Sequence, residues 1–220
     1  MSDLRAARER MVADQLAGRG IGDKRVLDAM RVLPREDFLP PDQRIYAYED
    51  RPLPIGWSQT ISQPFIVGRM LELVRLAERD RVLEVGAGCG YALGVLARLV
   101  RQAYGVEIVP ELAERAQKNL SSLGITNATV ECRDGTLGWP EHEPYDAIVV
   151  SAGAPRVPAM LLAQLADGGR LVIPVGEREQ QKLVVVERRG GEFVTESATP
   201  VRFVDLTGRY GWGGAGPPSA

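Results

Sequence analysis

Glu84, Gly86, Gly88 and Gly90 stand two residues apart at the end of the apolar run Val82-Leu83-Glu84-Val85. Glycine has no Cβ, so a backbone built from it turns sharply and lets a ligand approach closely. A buried strand that breaks into such a turn and then a helix offers free N–H groups at the C-terminal edge of a parallel sheet, where α/β folds bind ligands. The dinucleotide fingerprint G-x-G-x-x-G needs its third glycine at position 91, which is Tyr91. The remaining readings are a differently shaped ligand or a tight turn with none. Two further acids favour the ligand. Glu107 falls at the end of the next strand, where one carboxylate accepts from both hydroxyls of a ribose. Asp134-Gly135 ends the strand after that, where an acceptor suits an adenine amino group, although an isolated Asp-Gly is only a turn.

A second constellation is Gln59-Thr60-Ile61-Ser62-Gln63-Pro64. Ser62 is expected at a helix N-cap and Pro64 in the first helical turn. Neutral hydroxyls on Thr60 and Ser62, with the free N–H groups of that helix start, could orient a carboxylate without neutralising it. Ser62 could equally be a cap and nothing more.

The chain has 220 residues, 45% of them hydrophobic and 25% charged, and a net charge of −2. That is an ordinary globular composition, large enough for one substantial core. It has no overall basic surface, so nucleic acid is not the expected partner. No apolar run reaches a membrane span, and residues 1–10 lack the apolar core of a signal peptide. Cys89 and Cys132 are expected as reduced thiols of a cytoplasmic, monomeric protein. One histidine and no Cys-x-x-Cys pair give no basis for a metal site.

Two N-terminal helices are expected, over 3–18 and after Asp23 as cap, the second stopped by Pro34. Residues 34–63 read as an ordered, function-bearing loop, rich in proline and in large apolar groups. A helix from Pro64 to about Glu78 follows. Strands are then expected at 81–85, 103–107, 128–132, 145–151 and 170–175, with helices between them. The 176–181 connection is too short for a crossover, so 182–187 must return antiparallel. Phe193-Val194-Thr195 and Val201–Leu206 supply the last strand or strands. The expected fold is α/β: a doubly wound, Rossmann-like sheet of about seven strands, order 3-2-1-4-5-6-7, with antiparallel C-terminal strands and an N-terminal helical appendage. Residues 1–63 would carry helices and substrate loop, 64–210 the catalytic domain, and 211–220 a frayed Gly/Pro-rich tail.

The spacing Glu84-x-Gly86-x-Gly88-x-Gly90 resembles the S-adenosylmethionine loop of class I methyltransferases. With Leu53-Pro54-Ile55-Gly56-Trp57-Ser58-Gln59-Thr60-Ile61-Ser62-Gln63-Pro64, Asp134-Gly135, Tyr145-Asp146-Ala147-Ile148, Pro174-Val175-Gly176 and Val201-Arg202-Phe203-Val204, the chain resembles the protein-L-isoaspartate O-methyltransferases over roughly 25–206. Thr60-Ile61-Ser62 is the specific part, since the glycine loop is widely shared. The resemblance implies S-adenosylmethionine as donor, bound by Glu84, Gly86, Gly88, Gly90, Glu107, Asp134 and Gly135. It implies the α-carboxyl of L-isoaspartyl (and D-aspartyl) residues in damaged proteins as acceptor. Ser62 and Thr60 would be catalytic, and Gln59, Ile61 and Val204 would touch the substrate. The chemistry agrees, because a carboxylate is already ionised at neutral pH and needs no general base. A methyltransferase of ordinary aspartate in a biosynthetic peptide, or of a small molecule or RNA, would share positions 84–135. Calorimetry is expected to show binding of S-adenosylhomocysteine and none of NAD; tighter binding of NAD would overturn the cofactor assignment.

Overall fold

The computed structural model describes residues 4–213. α1 (Leu4–Arg10) runs on through a π-helical turn at Met11–Leu16 and a 3-10 turn at Ala17–Arg19, ending at Gly20 with φ 95°. α2 (Lys24–Val32) starts where anticipated: the Asp23 carboxylate accepts from the N–H groups of Arg25 (2.9 Å) and Val26 (3.4 Å). It stops at Leu33, which precedes Pro34 and takes the extended conformation a following proline demands.

The stretch expected to be one irregular loop holds two 3-10 turns, at Arg35–Phe38 and Pro41–Tyr46, and a two-stranded hairpin. β1 (Leu53–Gly56) pairs antiparallel with β2 (Gln59–Ile61), and both turn residues are left-handed, Trp57 at φ 50° and Ser58 at φ 56°. A two-residue hairpin turn of this hand normally uses Asn-Gly or Gly-Gly, so Trp-Ser carried no signal. Arg115 holds the turn from outside: its guanidinium donates to the Ile55 carbonyl at 2.7 Å and lies 4.8 Å from the Trp57 ring.

α3 (Pro64–Leu73) corrects two expectations. Its N-cap residue is Gln63, with no side-chain cap bond, so Ser62 does not cap it. It ends near Leu73 rather than Glu78, because Arg75 turns left-handed at φ 51°.

The main sheet contains β3 (Arg81–Val85), β4 (Gln102–Glu107), β5 (Ala128–Cys132), β6 (Tyr145–Val150), β7 (Leu165–Glu177), β8 (Gln180–Arg189) and β9 (Glu192–Val201). Their spatial order is β5-β4-β3-β6-β7-β8-β9. With the hairpin strands set aside, this is the anticipated 3-2-1-4-5-6-7. β3 to β7 are parallel, and β8 and β9 antiparallel. α4 (Tyr91–Ala97), α5 (Pro110–Ser122) and α6 (Ala159–Ala163) connect the parallel strands. β7 begins five residues before the expected Arg170, since Leu165 already pairs with Tyr145 across a register shift that takes up Asp167-Gly168-Gly169. The chain leaves the ladder after Val201, and Asp205 instead makes an isolated parallel bridge to Gly153.

One face of the sheet shares a continuous core with the N-terminal segment: Met11, Leu16, Leu33, Phe38, Ile55, Met70, Tyr91 and Leu93 join Val82, Val172 and Leu183. The other face packs Leu83, Ile148, Leu161, Leu171 and Ile173 around Trp139 and Tyr145. Both cysteines are free thiols, Cys89 buried and Cys132 exposed. Among the described residues no helix is long and apolar enough to cross a membrane. Of the tail expected to fray over 211–220, Trp212 is held, its indole N–H donating to the Gly153 carbonyl at 3.0 Å, and residues 214–220 lie outside the described residues. Removing the Asp23 cap with Asp23→Ala is expected to lower stability by about 1 kcal/mol in urea melts, with an unchanged slope.

Candidate active site

The ends of three adjacent parallel strands build the site. β3 lies between β4 and β6, so the chain leaves it on one side and returns on the other, opening a crevice at their C-terminal edge. The loop after β3 is shaped by left-handed glycines at positions 86, 88 and 90. At Gly90 the need is double: φ is 88°, and an added Cβ would stand 3.1 Å from the Cβ of Ala116 on α5.

Two carboxylates face this loop. Glu107, at the end of β4, accepts from the Gly88 N–H at 2.8 Å and the Val109 N–H at 3.0 Å, tying the glycine loop to the neighbouring strand. Glu84 is 1% exposed. Its Oε1 accepts from the Ser151 hydroxyl at 2.8 Å, while Oε2 is buried without a partner. Burial pushes the Glu84 carboxyl up to about 8; the Ser151 bond opposes this, and the nearby negative charge of Glu107 adds to it.

Three connected hollows surround these groups. A narrow cavity is walled by Thr60, Ile61, Ser62, Glu84, Gly86, Gly88, Cys89, Tyr91 and Ser151, among others. A second is lined by Gln59, Thr60, Glu107, Gly135 and Val204, and shares Gly86, Gly88 and Ser151 with the first. An open groove of about 760 Å³ begins at Thr60, Ser62 and Ser151 and runs between Pro52 and Ile66 on one side and Pro200 to Val204 on the other. Thr60 and Ser151 border all three. The groove is open along its length, enough for an extended chain.

Most of the residues singled out from the sequence therefore converge. Gly90 and Asp134 do not reach the walls. Gly90 acts as a spacer beneath α5. The Asp134 carboxylate is engaged elsewhere: Oδ1 accepts from the Thr136 N–H (2.9 Å) and hydroxyl (2.7 Å), and Oδ2 from the Arg209 N–H (2.8 Å). It clamps the Gly135 turn to residue 209, and only Gly135 faces the cavity. Ser151 escaped sequence reasoning. Its one signal was a hydroxyl at the C-terminal end of the strand next to Glu84, a position that becomes informative only once β6 is known to neighbour β3. His142 stacks on Tyr104 at 4.2 Å and borders none of the three hollows.

A profile described as protein-L-isoaspartate(D-aspartate) O-methyltransferase matches residues 7–211. The chain belongs to this family. It is 56% identical over 207 residues to "Protein-L-isoaspartate O-methyltransferase 2" of Pelobacter propionicus, covering 93% of this chain and 92% of that protein. Among solved structures, a protein-L-isoaspartate O-methyltransferase superposes with a TM-score of 0.83 at 32% identity, covering 93% of this chain and 67% of the other. A Plasmodium falciparum protein titled a putative protein-L-isoaspartate O-methyltransferase, solved with S-adenosyl-L-homocysteine, gives a TM-score of 0.79 at 25% identity, covering 91% and 98%.

The unpartnered Oε2 of Glu84 suits a ligand that brings a positive charge, such as the α-ammonium of S-adenosylhomocysteine. Below its raised value of about 8 the Glu84 carboxyl is neutral, and the charged partner favours the ionised form, so binding must expel a proton there. Affinity for S-adenosylhomocysteine is therefore expected to rise between about pH 6.5 and about pH 8.5, and Glu84→Gln to flatten that rise. Calorimetry in buffers of different ionisation enthalpy measures both.

Proposed function

We propose that this chain transfers a methyl group from S-adenosylmethionine to the free α-carboxyl of L-isoaspartyl, and D-aspartyl, residues in damaged proteins and peptides. The observation that carries the reading is the junction at Thr60, Ser62 and Ser151, where a cavity walled by the buried Glu84 meets an open groove. Membership of the family supports the same reaction.

The residues fit the donor. The buried, half-partnered Glu84 would hold its ammonium, and Glu107 its ribose hydroxyls. Gly135, seated where a Cβ would meet Val85 at 2.6 Å, packs its turn directly onto the ends of β3 and β4 at the side of the cavity where the base would lie. S-adenosylmethionine, when bound, supplies a methyl on a sulfonium that a carboxylate oxygen can displace in line. The chain's part is to align and to exclude water. Thr60 and Ser62 stand where groove and cavity meet, and their neutral hydroxyls can orient the acceptor carboxylate while leaving it nucleophilic. Closely held reactants gain most from such alignment. No base is needed, because the acceptor is ionised at neutral pH.

In this division of labour the segment before residue 64 supplies most of the acceptor side, with Val204 and its neighbours as the opposite wall. Residues 64–210 hold the donor, and Asp134 contributes by fixing Gly135. The same reading makes the protein a monomeric cytoplasmic enzyme acting on isoaspartyl-bearing chains.

Two measurements test it. A peptide carrying isoaspartate should be methylated and its normal aspartyl twin should not; equal turnover of both would overturn the substrate assignment. Because Ser62 caps no helix, Ser62→Ala should change stability by less than about 0.5 kcal/mol. Turnover should nevertheless fall by about tenfold or more through lost alignment.

A further inference from the structure

Arg35 is fully buried, and among the described residues its guanidinium meets backbone carbonyls rather than a carboxylate. Burial lowers its pKa from the ordinary arginine value, the direction expected when a cation loses water and gains no counter-ion. An uncompensated buried charge is costly, so the surroundings must repay it with hydrogen bonds. They repay it with backbone. Nε donates to the Ala47 carbonyl at 2.8 Å, and Nη2 donates to the Ser62 carbonyl at 2.9 Å. The guanidinium carbon lies 5.0 Å from the centre of the Tyr91 ring.

Each contact belongs to a different part of the site. Ala47 ends the turn that precedes the hairpin. Ser62 and Tyr91 both line the cavity beside Glu84, one on the acceptor segment and the other directly after the glycine loop. The Tyr91 ring is also braced edge-on by Phe38 at 5.5 Å. Arg35 Nη1 and the Tyr91 hydroxyl are both buried without a partner. The hydroxyl of Ser62 makes no capping bond, so the hydrogen bond from Arg35 to its carbonyl is the polar tie on the residue itself.

We infer that Arg35 is a positioning residue for methyl transfer: it fixes the backbone of the Thr60–Ser62 segment against Tyr91, and so sets the distance between acceptor and donor loops. The inference rests on the carboxyl-methyltransferase reading. The guanidinium is suited to the task because its planar fork reaches two carbonyls while its face meets a ring. A lysine ammonium in the same place is a point charge that cannot span both.

The test compares Arg35→Lys and Arg35→Gln with the parent chain. Three readouts are taken: melting temperature, S-adenosylhomocysteine affinity by calorimetry, and kcat and KM on an isoaspartyl peptide. Amide hydrogen exchange at residues 60–63 is followed in parallel. In Arg35→Lys, cofactor affinity should stay within about threefold of the parent, while kcat/KM for the peptide falls by about tenfold to a hundredfold. Exchange at 60–63 should accelerate. A residue that served only the core would lower the melting temperature and leave kcat and KM of the folded protein intact. Parent-like kinetics in folded Arg35→Lys would therefore overturn the inference, and so would unchanged exchange at 60–63. Should Arg35→Gln fail to fold, Arg35→Lys, which keeps the charge, decides alone. A parent chain inactive on the peptide would sink the substrate reading instead, and the exchange comparison would still judge Arg35.

Discussion

A carboxylate with almost no water around it, Glu84, is the constraint the rest of the structure answers to. It lies near the end of the central strand β3, with Ser151 of the β6 end as its one side-chain hydrogen-bond partner. A carboxyl in that position resists ionisation, and only a preformed surround makes it worth keeping. The strand order supplies that surround. β4 on one side brings Glu107, which anchors the glycine loop, and β6 on the other brings Ser151. The arrangement needs three parallel strands to end at the same level, which is what the registers of β3 with β4 and β6 provide.

The hairpin and the 34–52 turns close this edge from the acceptor side. They pack into the same core as the sheet, through Leu53, Ile55 and Phe38. Two guanidinium groups then bind them through backbone carbonyls: Arg115 to Ile55, and Arg35 to Ala47 and Ser62. Fixed carbonyls and planar guanidinium groups hold distances better than pairs of flexible ions do. A reaction that depends on alignment, with no proton to move, draws its rate from that kind of rigidity.

The parallel half of the fold was legible in the sequence because its signals are local. Each strand is a short apolar run, each helix has an amphipathic stripe, and the short 176–181 connection dictates an antiparallel return. The glycine loop and Glu107 were legible for the same reason. What escaped depends on neighbours distant in the chain. Trp57-Ser58 adopts a hairpin turn that its residue types do not favour, held by Arg115. Ser62 resembled a cap, but the helix begins one residue later at Pro64. Asp134 had the right position for an adenine contact, yet residues 208–209 come back against it, so close that a Cβ on Gly208 would lie 2.1 Å from its Oδ1. Nothing in the residues beside Arg35 marks it, and only the tertiary fold buries it.

The contact between Gly90 and Ala116 has an evolutionary corollary. Neither position can enlarge alone, because a side chain at 90 would collide with α5, and a larger one at 116 would push into the glycine loop. Sequence drift along α5 is therefore uneven. Its outward residues Glu111, Glu114 and Lys118 are exposed and free to exchange charges, while position 116 is a choke point through which a surface helix is answerable to the cofactor pocket. Across homologous chains, the two sites should be inherited as one unit.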